Sequence, residues 1–450
     1  MATAVVSGSG IAGILSAILL KRKFDTVYLI EKERRIGGLL NSFRNDAGVE
    51  FDYGTHFLRE TGVPELDAIL FDRMDPKKWL RLDYLKAGTF FLSKLNEKNP
   101  FINTCFLPEE VYQKGMIQLL GLDGVCDSYT NLEEQLKNTY GDVFTEHIFR
   151  PVLKKFVPHD LQELAPGAHG FFDLHRLVGL TPETTRVLKR SEIFDSKLGF
   201  HSYTEGISDF KKYYPVNGGI GHWVDLLSQK LSQLRINVIT DHSVERIHHS
   251  QRWIDSVVLN DGTQLNCDQL VWTVPPFLCL RASGLNLPVR TSPPTRLIAS
   301  LHHFVFNQPF LTDLYYFACF DPEFTTFRVT LYPSVQPVQT AETGYHLTVE
   351  VLSQEVPELD TTTNQVLQEL QQMGVVPDTA KVLFQANDVI RGGFPVLTHQ
   401  FVRDSQAQLD FARENLRNVL FLGKGIGTSF FMHDVLIETY NTLVDLIGSS

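Results

Sequence analysis

A strand, a glycine turn and a helix near the start of the chain constrain its fold more than any other feature of its 450 residues. Residues 4–7 are a short apolar run of strand type, Gly8, Gly10 and Gly13 follow in the spacing G-x-G-x-x-G, and residues 14–20 have the apolar pattern of a helix. A second apolar strand, residues 26–30, ends at Glu31, 23 positions beyond Gly8. Gly8 permits a sharp turn, Gly10 lets the backbone approach a pyrophosphate with no side chain in the way, and Gly13 allows helix and strand to pack closely. The helix N-terminus offers free N–H groups and a positive dipole end to phosphates, and the Glu31 carboxylate can accept from ribose hydroxyls. Strand, turn, helix and acid together predict a unit that binds an adenine dinucleotide.

NAD and FAD units share that fingerprint. Gly37 and Gly38 follow six and seven positions after Glu31, where a glycine pair lets the main chain touch a cofactor that extends beyond the pyrophosphate. In this the sequence resembles the FAD-binding superfamily of amine oxidases, protoporphyrinogen oxidases, carotenoid desaturases and UDP-galactopyranose mutases. Its IEKERRIGG and FDYGTHF segments are similar to the E-K-x-x-x-I-G-G and Y-G-x-H-x-F segments of the mutases. The resemblance implies FAD as the cofactor. It also implies an α/β fold, in which a discontinuous Rossmann-like FAD-binding domain of three ββα layers carries an inserted substrate or cap domain of mixed β-sheet and helices.

Signals of the dinucleotide domain recur along the chain. A Pro/Gly turn at residues 215–219 precedes an amphipathic helical pattern with apolar Trp223, Leu226, Leu227 and Leu231. A β-rich run follows, with a hairpin turn at Asp261-Gly262, and the apolar LVWTVP ends at the Pro275-Pro276 break. Near the C-terminus a buried strand, residues 419–422, runs into Gly423, Gly425 and Gly427 and then a helix from about Phe430. By resemblance this last block is the closing FAD motif of the superfamily. The expected boundaries are 1–75, 211–276 and 391–450 for the FAD-binding domain, and 76–210 with 277–390 for the cap, including a helical insertion at about 105–200. The first cap segment is largely helical in pattern, and the second alternates as antiparallel strands do. The cofactor contacts implied by the resemblance are Gly8, Gly10, Ile11, Ala12 and Gly13, then Glu31, Lys32, Gly37, Gly38 and Leu39, then Gly54, Thr55 and His56. Val244, Thr273 and Pro275 join them from the second block, and Gly423, Gly427 and Thr428 from the third.

With 43% apolar and 21% charged residues the chain reads as an ordinary globular protein. Its net charge of −11 argues against a nucleic-acid partner, because phosphate binding needs a basic face. A small-molecule substrate is the expected partner, and the oligomeric state is open. The cysteines Cys105, Cys126, Cys267, Cys279 and Cys319 are odd in number and form no C-x-x-C pair, which suggests scattered buried thiols in a reducing compartment. The pairs His248/His249 and His302/His303 sit in strand-like stretches without a third ligand, so no metal is expected. No stretch reaches the roughly 18 to 20 apolar residues of a membrane-spanning helix. The first strand begins so early that removing a leader would destroy the phosphate turn, and the chain is therefore expected in the cytoplasm.

With FAD bound, the isoalloxazine carries the redox chemistry and the protein supplies orientation and electrostatics. The candidate catalytic residues are His56, Arg328, Tyr316 and His433. His56 matches the mutase histidine that packs against the flavin, with a loop histidine capping a carbonyl as the alternative. Met432-His433-Asp434 resembles the D-M-H segment of the mutases, so His433 either presents a proton or caps the helix. Tyr315, Tyr316, Phe327 and Arg328 fall on strand-like segments of the cap, where aromatic walls and one cation can seat a ring or an anion. Leu39 stands where the amine oxidases carry arginine, no lysine in a flavin-facing motif can be assigned, and no second G-x-G-x-x-G marks a nicotinamide domain.

The leading expectation is an FAD-dependent oxidoreductase of the amine oxidase-like superfamily, with hydride transfer from a small organic substrate to flavin N5. The alternative is a UDP-galactopyranose mutase-like isomerase acting on a nucleotide sugar. A further alternative is a non-catalytic binding protein on the fold of the GDP-dissociation inhibitors, against which the intact Gly8, Gly10, Gly13 and Glu31 set speaks.

Overall fold

The computed structural model describes residues 1–123, 128–286, 295–336, 343–427 and 429–448. Five short strands form one parallel sheet in the order Asn237–Ile239, Thr26–Ile30, Thr3–Ser7, Gln269–Trp272, Val419–Phe421. Parallel strands covered on both faces must be apolar throughout, and the central strand meets that demand with Ala4, Val5 and Val6 at 0% exposure. One face carries the helices Ile11–Leu20, Gly221–Gln233 and Met432–Gly448, whose Ile14, Ile18, Trp223, Leu227, Leu436 and Leu443 share one core. The other face carries an antiparallel layer, Val244–Ser250, Trp253–Leu259 and Gln264–Asn266, packed through Ile247, Ile254 and Val257 onto Val5 and Leu270. The result is a three-layer ββα Rossmann-like unit assembled from sequence-distant segments.

A seven-stranded, mainly antiparallel sheet forms the inserted cap, in the order Val382–Pro395, Arg296–Phe306, Tyr345–Ser353, Thr326–Leu331, Tyr316–Cys319, Ala87–Phe91, Lys94–Asn96. Side chains alternate across each strand. Leu347, Val349 and Val351 thus pack with Val366 and Leu370 of the helix Leu359–Gln372, and the intervening His346, Thr348 and Glu350 turn toward the dinucleotide unit. Helices Glu109–Gly121, Leu132–Tyr140 and Arg150–Phe156 enclose a separate apolar cluster that includes Leu136, Phe149, Phe156 and Phe327. Asn131 caps the second of these by accepting from the Glu134 N–H at 2.9 Å.

The segment read as helical after residue 76 begins instead with strands, Trp79–Leu82, Ala87–Phe91 and Lys94–Asn96. The last two are joined through Leu92 (φ 50°) and Ser93 (φ 56°) in the left-handed region, where a hairpin turn ordinarily advertises itself with Asn or Gly. Asp321 supports this turn by accepting from the Ser93 N–H at 2.7 Å. The C-terminal helix starts at Met432, two residues later than expected.

Asp52 ties the layers together. Its carboxylate accepts from Tyr214 Oη (2.6 Å), the Ile220 N–H (2.8 Å) and Ser42 Oγ (2.8 Å), and its own N–H donates to Tyr332 Oη (2.9 Å). Burial at 1% exposure nevertheless pushes its pKa up to about 6.

Cys267, Cys279 and Cys319 are buried, Cys105 is exposed contrary to the expectation of buried thiols, and Cys126 lies outside the described residues. Among the described residues no three His, Cys, Asp or Glu side chains converge as a metal site would require, and no helix is long and apolar enough to cross a membrane.

Candidate cofactor and active-site cleft

A cleft of about 1050 Å³ opens where the parallel strands end, with Ser7, Ile30, Trp272 and the turn at Gly423 on its walls. The C-terminal edge of a parallel sheet is where such folds bind ligands, because the helix N-termini that follow the strands point their free amides there.

The first turn is shaped by its glycines in three different ways. Gly8 has φ +94°, and a Cβ there would lie 2.5 Å from Thr273 Oγ1. A Cβ on Gly13 would lie 1.9 Å from the Gly8 carbonyl oxygen, so helix and strand touch at that position. A Cβ on Gly10 would meet no heavy atom within 4 Å and would project into open space at the cleft wall. Gly10 is also the N-cap of the helix Ile11–Leu20, which has no side-chain cap and no acid in its first turn. The first amides of that helix are therefore free for an anion.

Glu31 is buried and accepts from the Ser9 N–H (2.9 Å) and Ser9 Oγ (2.6 Å) on one oxygen and from the Glu33 N–H (3.0 Å) on the other. These bonds lock the acid against the glycine turn and leave it lone-pair capacity toward the cleft, which it lines. Gly37 has φ +106°, and its N–H donates to the Ser9 carbonyl at 2.9 Å; Gly38 would place a Cβ 3.6 Å from Gly10 Cα. The glycine pair is thus laid directly on the first turn. The C-terminal turn closes the same ring: a Cβ on Gly423 would come within 3.2 Å of Ala12 Cβ, and one on Gly425 within 2.9 Å of the Val274 backbone.

Of the residues expected at the cofactor, Gly8, Gly10, Ile11, Ala12, Glu31, Lys32, Gly37, Gly38, Leu39, Gly54, Thr55, His56, Val244, Thr273 and Gly423 line this cleft. Gly13 packs behind it. Pro275 and Gly427 are not on its walls; Pro275 instead caps the helix Pro276–Ala282 and accepts from Trp272 Nε1 at 3.2 Å. Thr428 lies outside the described residues. The open cradle at Gly10, the uncapped helix amides and a continuous cleft of this volume fit an extended dinucleotide.

Toward the cap the cleft changes character. His56 Nε2–H donates to the Tyr53 carbonyl at 3.1 Å, which leaves Nδ1 as the acceptor. Burial drives the His56 pKa down to about 4, only partly opposed by Glu350, so the ring is neutral at physiological pH. His433 also lines the cleft; burial and the nearby Arg59 lower its pKa, and its Nδ1 has no hydrogen-bond partner. Arg328 faces the same space, pairs with Glu350 at 3.7 Å and lies 4.7 Å over the Phe327 ring. Burial is the largest influence and disfavours the guanidinium, but Glu350, Asp173 and Tyr316 together outweigh it and hold the Arg328 pKa above its ordinary value. Tyr316 is set back from the walls, its ring 5.9 Å from Phe57, and burial pushes its phenol up to about 12.

Sequence reasoning missed Arg59, which lines the cleft beside His433, and two charged residues nearer Arg328. Lys424, in the C-terminal glycine turn, holds its ammonium 3.9 Å over the Phe430 ring. Its accessible surface faces the cleft, and the surrounding protein and Arg328 press its pKa down to about 8. Phe430 in turn stacks on Phe171 (4.2 Å) and sits 5.5 Å from Phe394. Glu350 is the other; its one available signal is an acid at a buried, inward position of an alternating strand.

A family model described as flavin-containing amine oxidoreductase matches residues 11–438. In fold the chain is similar to a reduced UDP-galactopyranose mutase (TM-score 0.75, 14% identity, 100% of this chain and 94% of the mutase). It is also similar to an Exiguobacterium sp. protein assigned as a protoporphyrinogen oxidase (TM-score 0.68, 15% identity, 100% and 99% of the two chains). A stretch of 113 residues is 33% identical to the all-trans-retinol 13,14-reductase of Danio rerio, covering 24% of this chain and 16% of the reductase.

Proposed function

Since the chain belongs to the family of flavin-containing amine oxidoreductases, an FAD-dependent group of enzymes, we propose that it oxidises a small organic substrate by hydride transfer to flavin N5 at the cap end of the cleft. The observation that carries this reading is the convergence on one cleft of two neighbouring glycine turns, at residues 8–13 and 37–38, and the sequence-distant turn at Gly423, with the Gly10 position left open toward it. FAD supplies the hydride acceptor when bound. The uncapped helix after Gly10 would hold its pyrophosphate, Glu31 its ribose, and the Gly54–His56 loop would border the reacting end.

The chain's own residues then define what can react there. Phe394, Phe430 and Phe431 give the substrate side an apolar wall. The neutral His56 offers an acceptor nitrogen for a substrate proton, and Arg328 with Lys424 gives the pocket two cations to orient an acidic substituent. The test is a visible spectrum of the purified protein followed by anaerobic addition of amines, polyenes, porphyrinogens and UDP-sugars. Bleaching of the oxidised flavin by one of the first three classes supports the reading. A yellow protein that none of them bleaches contradicts it.

The likeness in fold to the mutase, together with the Arg328 and Lys424 cations, supports a second reading, a flavin-assisted isomerase for a nucleotide sugar. In that case the oxidised protein is silent to every addition, and turnover of a UDP-sugar begins only after the flavin is reduced.

A further inference from the structure

The strand pair Thr326–Leu331 and Tyr345–Ser353 sets Arg328 and Glu350 directly opposite each other. Charged residues facing across a sheet normally point to water, but Glu350 is 4% exposed. Its Oε1 accepts from both the Thr55 N–H (3.1 Å) and Thr55 Oγ1 (3.1 Å) and stands 3.7 Å from Arg328 Nε. Thr55 Oγ1 is also 2.5 Å from Thr330 Oγ1, which pins the loop to the cap strand a second time. On the other side, a Cβ on Gly54 would lie 3.4 Å from Glu350 Oε2, and the left-handed φ of +103° keeps that position free of one. One carboxylate therefore touches the loop that carries His56 and the cation that shares the cleft with Lys424.

We propose that Glu350 is a positioning residue: it fixes the Gly54–His56 loop and the Arg328 guanidinium together at the cap end of the cleft, and so sets the charge that the flavin feels. The inference rests on the reading that this end of the cleft holds the flavin ring. A buried carboxylate is costly unless hydrogen-bonded and paired, and Thr55 and Arg328 supply those partners. Removing it has two separable effects. The Thr55 N–H and O–H lose their acceptor, and Arg328 loses the stronger of the two anions, Glu350 and Asp173, that offset its positive charge.

The experiment uses FAD-loaded protein, with the reduction equilibrium of the flavin read against an indicator dye of known potential and FAD retention read after gel filtration. Glu350→Gln keeps an acceptor oxygen for Thr55 but removes the charge. It is expected to retain FAD and to shift the equilibrium toward reduced flavin by roughly tenfold, the scale for one unit charge in a partly buried site. Glu350→Ala removes both and is expected to show that shift and, in addition, a several-fold loss of FAD retention. Should the alanine variant not fold, the glutamine variant alone decides. In an Arg328→Met background the Glu350→Gln shift is expected to shrink, because the two act as a unit. A wild-type equilibrium in Glu350→Gln, or strictly additive effects with Arg328→Met, overturns the proposal. A wild-type protein that takes up no flavin overturns the reading beneath it instead.

Discussion

The sharpest test of the cleft sets Gly10 against Gly13, three positions apart and opposite in their surroundings. At Gly13 the nearest atom to an added methyl is the Gly8 carbonyl oxygen at 1.9 Å. Both elements are main chain in the packed core, so neither can step aside, and Gly13→Ala is expected to cost about 3 kcal/mol or more of folding stability. That is a large fraction of a domain's total of about 5–15 kcal/mol. At Gly10 φ is −61° and ψ 177°, a conformation open to any residue, and nothing lies within 4 Å of the added carbon. Gly10→Val therefore loses about 1 kcal/mol at most, for a poorer N-cap. Its branched side chain instead occupies the space before the free helix amides. Overpacking there, with loss of a charge-assisted hydrogen bond to the pyrophosphate, amounts to about 3 kcal/mol or more, or at least roughly a hundredfold in FAD affinity. Thermal melts by circular dichroism and the flavin absorbance retained after gel filtration separate the two quantities. The expected pattern is a folded, colourless Gly10→Val and a poorly folded Gly13→Ala. A yellow Gly10→Val with full flavin content refutes the assignment of this turn to the pyrophosphate.

Two further predictions concern pH. Asp52 has its pKa raised to about 6, so the folded chain holds its proton more tightly than the unfolded one; the stability this contributes is full below about pH 4 and is lost as pH rises through 6. Asp52→Asn is expected to flatten that decline, by up to about 3 kcal/mol, in urea midpoints measured between pH 4 and 7, and an unchanged slope refutes the assignment. Lys424 has its pKa lowered to about 8, so the unfolded chain is the tighter proton binder and stability rises as pH climbs from 8 toward 10. Lys424→Met has nothing to titrate and is expected to lose that rise; midpoints that still climb as steeply as in the unaltered protein contradict it.

What the sequence made legible follows from how local each signal is. The first glycine turn, the Gly37–Gly38 pair and the Gly54–His56 loop are readable because backbone demands select glycine whatever the distant packing does. The alternation of residues 345–353 predicts a strand but not which face looks into the cleft, and that choice decides the part played by Glu350. Tyr316 illustrates the same limit, since its strand is as expected and its ring sits behind Phe57. Lys424 looks like an ordinary turn lysine until the turn is pressed between Ala12 and Val274, which swings it over Phe430. The hairpin at Leu92-Ser93 was hidden because neither residue carries the usual signature of a left-handed turn.

The parallel sheet takes one of its two edge strands, Val419–Phe421, from nearly 400 residues beyond the strand Thr26–Ile30, and the helix Met432–Gly448 shares its core with the helix Ile11–Leu20. During synthesis the βα unit of residues 3–30 waits for its second strand neighbour, Gln269–Trp272, until past mid-chain and for its covering helix until residues 432–448 have been made. Sequence separations of this size make for slow, non-local closure, with Ile14 and Ile18 open to wrong partners meanwhile. Nascent chains stalled short of the final helix should accordingly associate with holding chaperones, and the yield of native protein in cells should track how long that exposed interval lasts.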